Sequence, residues 1–151
     1  MNESRYLVDN NALSRLTAKQ RLSSFFSDNC RVTSDVLYEA RGYVEPEVAD
    51  LEQPVTAAVL ARLTAVMASV APGDTSLVDL YANKGAADPV MIACALELQA
   101  IQDRTLFPDQ WLIVTDDKAV AAAARVHGLT PLDSQAFRAL FPPQTRQSRD
   151  G

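Results

Sequence analysis

Residues 111–132 read WLIVTDDKAVAAAARVHGLTPL. Trp111-Leu112-Ile113-Val114 has the apolar continuity of a buried strand, and Thr115-Asp116-Asp117 stops it with turn-forming polar residues. Lys118 to His127 is an alanine-rich helix that Gly128 terminates, and Leu129-Thr130-Pro131-Leu132 offers a short strand after it. The same alternation recurs upstream. Tyr6-Leu7-Val8 reads as a buried strand stopped by Asp9-Asn10-Asn11, with a brief helix from Ala12 to Leu16. Thr17-Ala18-Lys19-Gln20 is a capping box opening a helix that carries Leu22, Phe25 and Phe26. Cys30-Arg31-Val32-Thr33 is a second strand, and Ser34 caps a helix from Asp35 to about Tyr43. Residues 44–53 are acidic and contain a proline, as a surface loop does.

The second half continues the pattern. Pro54 opens a helix with Val55, Val59, Leu63, Val66, Met67 and Val70 at three- and four-residue steps, closed by Pro72-Gly73. Ser76-Leu77-Val78-Asp79 starts a short helix through Tyr81, with a strand as its alternative. Asp88 as cap and Pro89 in the first turn open a long helix to about Gln102, and Asp133 with Ser134 begins a final one carrying Phe137, Leu140 and Phe141. Short strands separated by helices imply an α/β fold of three α/β/α layers around a short parallel sheet. The expectation is one domain over residues 1–141 and a flexible polar tail over 142–151.

A chain of 151 residues, 48% hydrophobic and 22% charged, suits one core and argues against disorder. Its net charge of −5 excludes a basic surface that holds nucleic acid or anionic lipid by charge alone, though not an enzyme whose acids hold metal ions. Cys30 and Cys94 are too few for a disulfide framework or thiolate zinc site and read as reduced core residues. No stretch approaches the ~20 apolar residues of a membrane span, and the polar start lacks a signal-peptide core, so a cytoplasmic location is expected.

Ligands of an open parallel sheet bind at the carboxyl ends of its strands. Asp9 follows the first strand, Asp116 and Asp117 follow the strand of residues 111–114, and Asp88 stands at a helix mouth, where the dipole favours negative charge. Glu39 shares a helical face with Val36 and Tyr43, so it is expected to point inward. Two charges ~4 Å apart repel by about 4 kcal/mol at an effective dielectric near 20. A divalent cation removes that cost, and an all-oxygen site suits Mg²⁺ or Mn²⁺. Such a site is fitted to phosphodiester hydrolysis, because the metal activates water and neutralises charge on the phosphate.

Four segments in order carry a family resemblance: Tyr6-Leu7-Val8-Asp9-Asn10-Asn11-Ala12-Leu13, Val32-Thr33-Ser34 leading to Glu39, Ala87-Asp88-Pro89-Val90-Met91-Ile92-Ala93-Cys94-Ala95-Leu96, and Ile113-Val114-Thr115-Asp116-Asp117-Lys118. Spread from residue 6 to about 132, they resemble the PIN domain, and within it the VapC-type ribonuclease toxins. The resemblance implies metal ligands at Asp9, Glu39 and Asp88 and a fourth acid at Asp117, with Asp116 its near alternative. Asn11 matches a polar residue that would hold a metal-bound water, whereas Asn10 departs from the Ser or Thr common at its place. The resemblance further implies single-stranded RNA as substrate, a small antitoxin whose tail fills the acidic groove, and a homodimer.

Each residue also has an ordinary reading. Asp9 fits a helix cap, Asp88 an Asp-Pro helix start, one of Asp116 and Asp117 a plain cap, and Ser34 a cap rather than a substrate contact. Glu39 resists the solvated-face reading and has snorkelling around the helix edge as its alternative. Arg15, Arg41, Lys84 and Lys118 lie near site segments as candidates for RNA phosphates, or are surface charges. Leu16, Leu22, Phe25 and Phe26 serve either a dimer or antitoxin contact or the core. Trp111 and His127 read as structural. Two competing functions are a PIN-shaped binding module with structural acids and, lowest, a phosphotransfer domain, which would need an acid where Asn11 stands or a late lysine after a strand.

Overall fold

Two apolar strands that lie far apart in the chain meet at the centre of the sheet. The computed structural model describes residues 3–68 and 89–143 with their side chains, and residues 87 and 88 by backbone alone. β1 (Ser4–Val8) and β4 (Gln110–Val114) run parallel, from Ser4 against Gln110 to Val8 against Val114. β2 (Cys30–Thr33) flanks β1 on its other side, with Tyr6 against Cys30, and β3 (Glu52–Gln53) pairs with β2. β5 (Thr130–Leu132) pairs with β4. The five strands are all parallel, in the order β3-β2-β1-β4-β5.

The pleat sorts the core into two layers, since successive side chains of a strand face opposite ways. Leu7, Trp111 and Ile113 face α6 (Ala57–Ala68), α7 (Ala87–Asp103) and α8 (Lys118–Val126), packing with Val59, Val66, Met91, Ile92, Val120 and Ala124. Tyr6, Val8 and Val114 face the other layer. There they meet α1 (Asn10–Ser14), α3 (Ser24–Asn29), α4 (Ser34–Ala40) and α9 (Ser134–Arg138) through Leu13, Phe26, Val36 and Phe137. Two short helices, α2 (Ala18–Arg21) and α5 (Pro46–Ala49), complete the elements of the described residues. This is the three-layer α/β/α arrangement expected from the alternating pattern. Each fully buried Leu, Ile, Val or Phe contributes about 1.5–3 kcal/mol over its exposed state.

Several elements differ from expectation for local reasons. The helix opened by the capping box at Thr17 stops at Arg21, because Ser23 restarts the chain by accepting a hydrogen bond from the Phe26 amide at 3.3 Å. Residues 44–53 are not a plain loop: Pro46 seeds α5, and the polar pair Glu52-Gln53 forms the edge strand β3 against Val32 and Thr33. Thr33, not Ser34, caps α4, its hydroxyl accepting from the Val36 amide, and the helix ends at Ala40 rather than near Tyr43. The helix expected from Pro54 begins at Ala57 with Thr56 as its cap, and α7 begins at Ala87, two residues early, which puts Asp88 in its first turn instead of at its cap. The expected helix at 76–81, Val70, Pro72-Gly73, Lys84 and the tail beyond residue 143 lie outside the described residues.

The apolar residues of the first helices belong mostly to the core. Leu16 and Phe26 are buried, Phe25 stacks on Tyr6 and Phe141 with ring centroids 6.2 and 4.8 Å away, and only Leu22 of the four stands exposed. No helix among the described residues is long and apolar enough to cross a membrane.

Candidate functional site

With β1 central, the chain builds outward to β3 and returns on the other side with β4. The strand order therefore reverses between β1 and β4, and the carboxyl ends of those two strands are where an open parallel sheet binds its ligands. Asp9 sits there. Its amide donates to the Val114 carbonyl at 3.0 Å, holding the two strand ends together, and its carbonyl accepts from Leu13 at 2.8 Å as α1 begins. The side chain is buried at 6% exposure. Oδ1 accepts from the Asn11 amide at 2.7 Å and Oδ2 from the Thr115 hydroxyl at 2.6 Å. Two accepted bonds leave about half of the four lone-pair positions of a carboxylate for other partners.

The charges around Asp9 are of its own sign. Burial raises its pKa above the ordinary value, the Thr115 and Asn11 hydrogen bonds oppose that rise, and the charges of Asp117 and Asp116 add to it. Glu39 is exposed and not turned into the core; Val36 and Ala40 take the inward face of α4. Its pKa is nevertheless raised: loss of hydration is the largest cause, the Asp9 and Asp35 charges raise it further, and the Asn10 side chain opposes them. The Asp9 charge thus reaches Glu39, which is exposed on α4 rather than turned inward as expected.

Asp116 and Asp117 divide differently from expectation. Asp117 Oδ1 caps α8, accepting from Ala119 at 2.9 Å and Val120 at 3.2 Å, while its amide donates to Thr115 Oγ1 at 3.1 Å. Asp116 Oδ1 accepts from the Ser134 amide at 2.8 Å, and Oδ2 lies 3.3 Å from Arg15 Nε. Burial pushes the Asp116 pKa up, yet the Ser134 hydrogen bonds and the Arg15 and Arg138 charges outweigh it and hold it below the ordinary value. Both acids therefore have structural partners, and the charge of each acts on Asp9.

The remaining expected residues separate into near and far. Asn11 meets Asp9 through its backbone, and its side chain is exposed. Ser34 is the first residue of α4 and does not cap it. Arg15 is exposed and pairs with Asp116; Arg41 instead lies 3.9 Å over the ring of Tyr38, and Lys118 is an exposed first residue of α8. The Asp88 side chain lies outside the described residues. Among the described residues, no three His, Cys, Asp or Glu side chains gather closely enough to hold an ion. Asp9 and Glu39 offer the hard oxygen donors that Mg²⁺ or Mn²⁺ takes, and a cation between them would relieve the repulsion both carry.

Three residues escaped the sequence reading as participants. Thr115 is buried between Asp9 and Asp117, and its sole signal is a polar side chain directly after an apolar strand. Tyr43 donates its hydroxyl to Asn10, the residue after Asp9. The Tyr43 pKa is pushed up to about 12 by burial, with the Arg21 charge opposing and those of Asp9 and Glu39 adding. No protein-family model matches this chain, and no curated protein matches it.

Proposed function

We propose that this chain is a PIN-type endoribonuclease that hydrolyses single-stranded RNA with Mg²⁺ or Mn²⁺. The observation that carries the reading is the buried Asp9 at the reversal of strand order, with its charge reaching Glu39 and further carboxylates raising its own pKa. A buried acid surrounded by like charge marks a functional site more often than a structural one. Asp9, Glu39 and Asp88 would hold the cation, with Asp117 and Asp116 lending charge. The bound cation supplies an activated water and neutralises the developing charge on phosphate. Thr115 fixes the Asp9 carboxylate, and Arg15 is exposed to meet a phosphate.

As part of the same reading, the chain is the toxin of a toxin–antitoxin pair, working in the cytoplasm as a homodimer and restrained by a small antitoxin that covers the acids at these strand ends. The test is cleavage of a labelled single-stranded RNA in Mn²⁺ and in chelator. Asp9→Asn and Glu39→Gln abolish the cation-dependent cleavage while the protein stays folded; variants that cut as the parent does overturn the assignment.

One observation favours a second reading, a PIN-shaped binding module. Asp9, Asp116 and Asp117 each accept backbone hydrogen bonds that explain them structurally. Under it, Mn²⁺ neither raises the melting temperature nor supports cleavage.

A further inference from the structure

We propose that Tyr43 is a base-stacking platform: its ring receives a nucleobase of single-stranded RNA next to the segment that carries Asp9. The proposal rests on the preceding reading of RNA as the substrate and names how the strand is gripped. A chain of net charge −5 has little positive surface with which to hold phosphates. Proteins that bind single strands combine positive charge with aromatic rings on which successive bases stack. Where charge is scarce, the rings must carry more of the grip.

Tyr43 has the properties a platform needs. Its hydroxyl donates to the Asn10 carbonyl at 3.2 Å and to Asn10 Oδ1, which sets the residue against the neighbour of Asp9. The Arg21 guanidinium lies 5.6 Å from its ring centroid, a cation–π contact. Paired bonds to Glu45 at 2.8 and 2.9 Å, and one to the Leu16 carbonyl at 2.6 Å, fix that guanidinium in turn. The Arg21 side chain is 10% exposed and neutralised by Glu45, so it backs the ring and is poorly placed to meet a phosphate itself. Held at its hydroxyl and backed by Arg21, Tyr43 still stands 38% exposed. A ring already fixed loses little freedom when a base settles on it, which favours binding.

The test uses the full chain in CaCl₂ and two fluorescein-labelled octamers read by anisotropy. One is oligoadenylate, checked intact on a gel; the other has the same sugar–phosphate chain without bases. The parent and Tyr43→Phe, which keeps the ring, are expected to bind oligoadenylate about tenfold more tightly than the abasic chain. Tyr43→Leu, which keeps apolar bulk, is expected to lose that preference by binding oligoadenylate about tenfold more weakly and the abasic chain as the parent does. A parent without the preference overturns the proposal, as does Tyr43→Leu that retains it or that weakens both octamers equally, the mark of a structural role. The cleavage assay in Mn²⁺ separates the two readings. A parent that cleaves RNA while Tyr43→Leu keeps the preference loses the platform and keeps the nuclease. A parent that shows the Tyr43-dependent preference without cleaving keeps the platform and loses the nuclease.

Discussion

Asp9 does two jobs whose energies oppose each other. It joins β1 to β4 and starts α1, both favourable, while its charge is buried among carboxylates. Asparagine keeps the first job: its oxygen accepts from Asn11, and its amide donates to Thr115. Because the folded pKa of Asp9 is raised, its contribution favours the folded state below the ordinary value of 3.8 and is lost as pH rises through the folded value. Asp9→Asn is therefore expected to melt higher than the parent at neutral pH, the gap closing as acid protonates the parent; a gap that widens in acid contradicts this. Glu45, Asp109 and Asp116, with lowered values, act oppositely, and their stabilisation is lost as pH falls through those values. The sequence located Asp9 well, since an acid directly after an apolar strand is a local signal. The exposure of Glu39 was not legible, because helix phase does not reveal how far a neighbouring element covers a flank. Tyr43 and Thr115 were illegible as partners, since both act through contacts that only the fold creates.

The elements are held at their ends by side chains that sequence patterns rarely expose. Arg21 ties α2 to the loop before α5 through Glu45 and takes the Leu16 carbonyl behind α1, with both ion-pair side chains under one-fifth exposed. Arg21→Ala is expected to cost about 2–3 kcal/mol, since it leaves a carboxylate and a carbonyl without their donor. Urea unfolding should show the loss as a lower midpoint with an unchanged slope; Arg21→Lys should recover only part of it, lacking the fork. At the amino edge of the sheet, Asp109 accepts from the Glu3 amide at 3.0 Å and Arg5 Nε at 2.7 Å, while Gln99 and Gln102 of α7 bind the backbone of Asp109 and Trp111. The strong strands and long helices were legible from apolar period and caps. β3 was not: two polar residues at a sheet edge carry no period, and only the exposed edge of β2 makes them a strand.

Over the whole molecule, a net charge of −5 sets how an RNA would meet this surface. In chelator, binding to single-stranded RNA is expected to be weak and not to fall with added monovalent salt, because screening weakens repulsion as well as attraction. A steep loss of affinity with salt, the mark of released phosphate counterions, would contradict a cation-dependent mode of recognition. The placing of β1 carries a consequence for synthesis. β1, central among the described strands, leaves the ribosome well before its partner β4, and the Glu3–Asp109 bond closes a separation of 106 residues. Until then one rim of β1 stays open to foreign strands, so nascent chains cut short before β4 are the species a chaperone must shield.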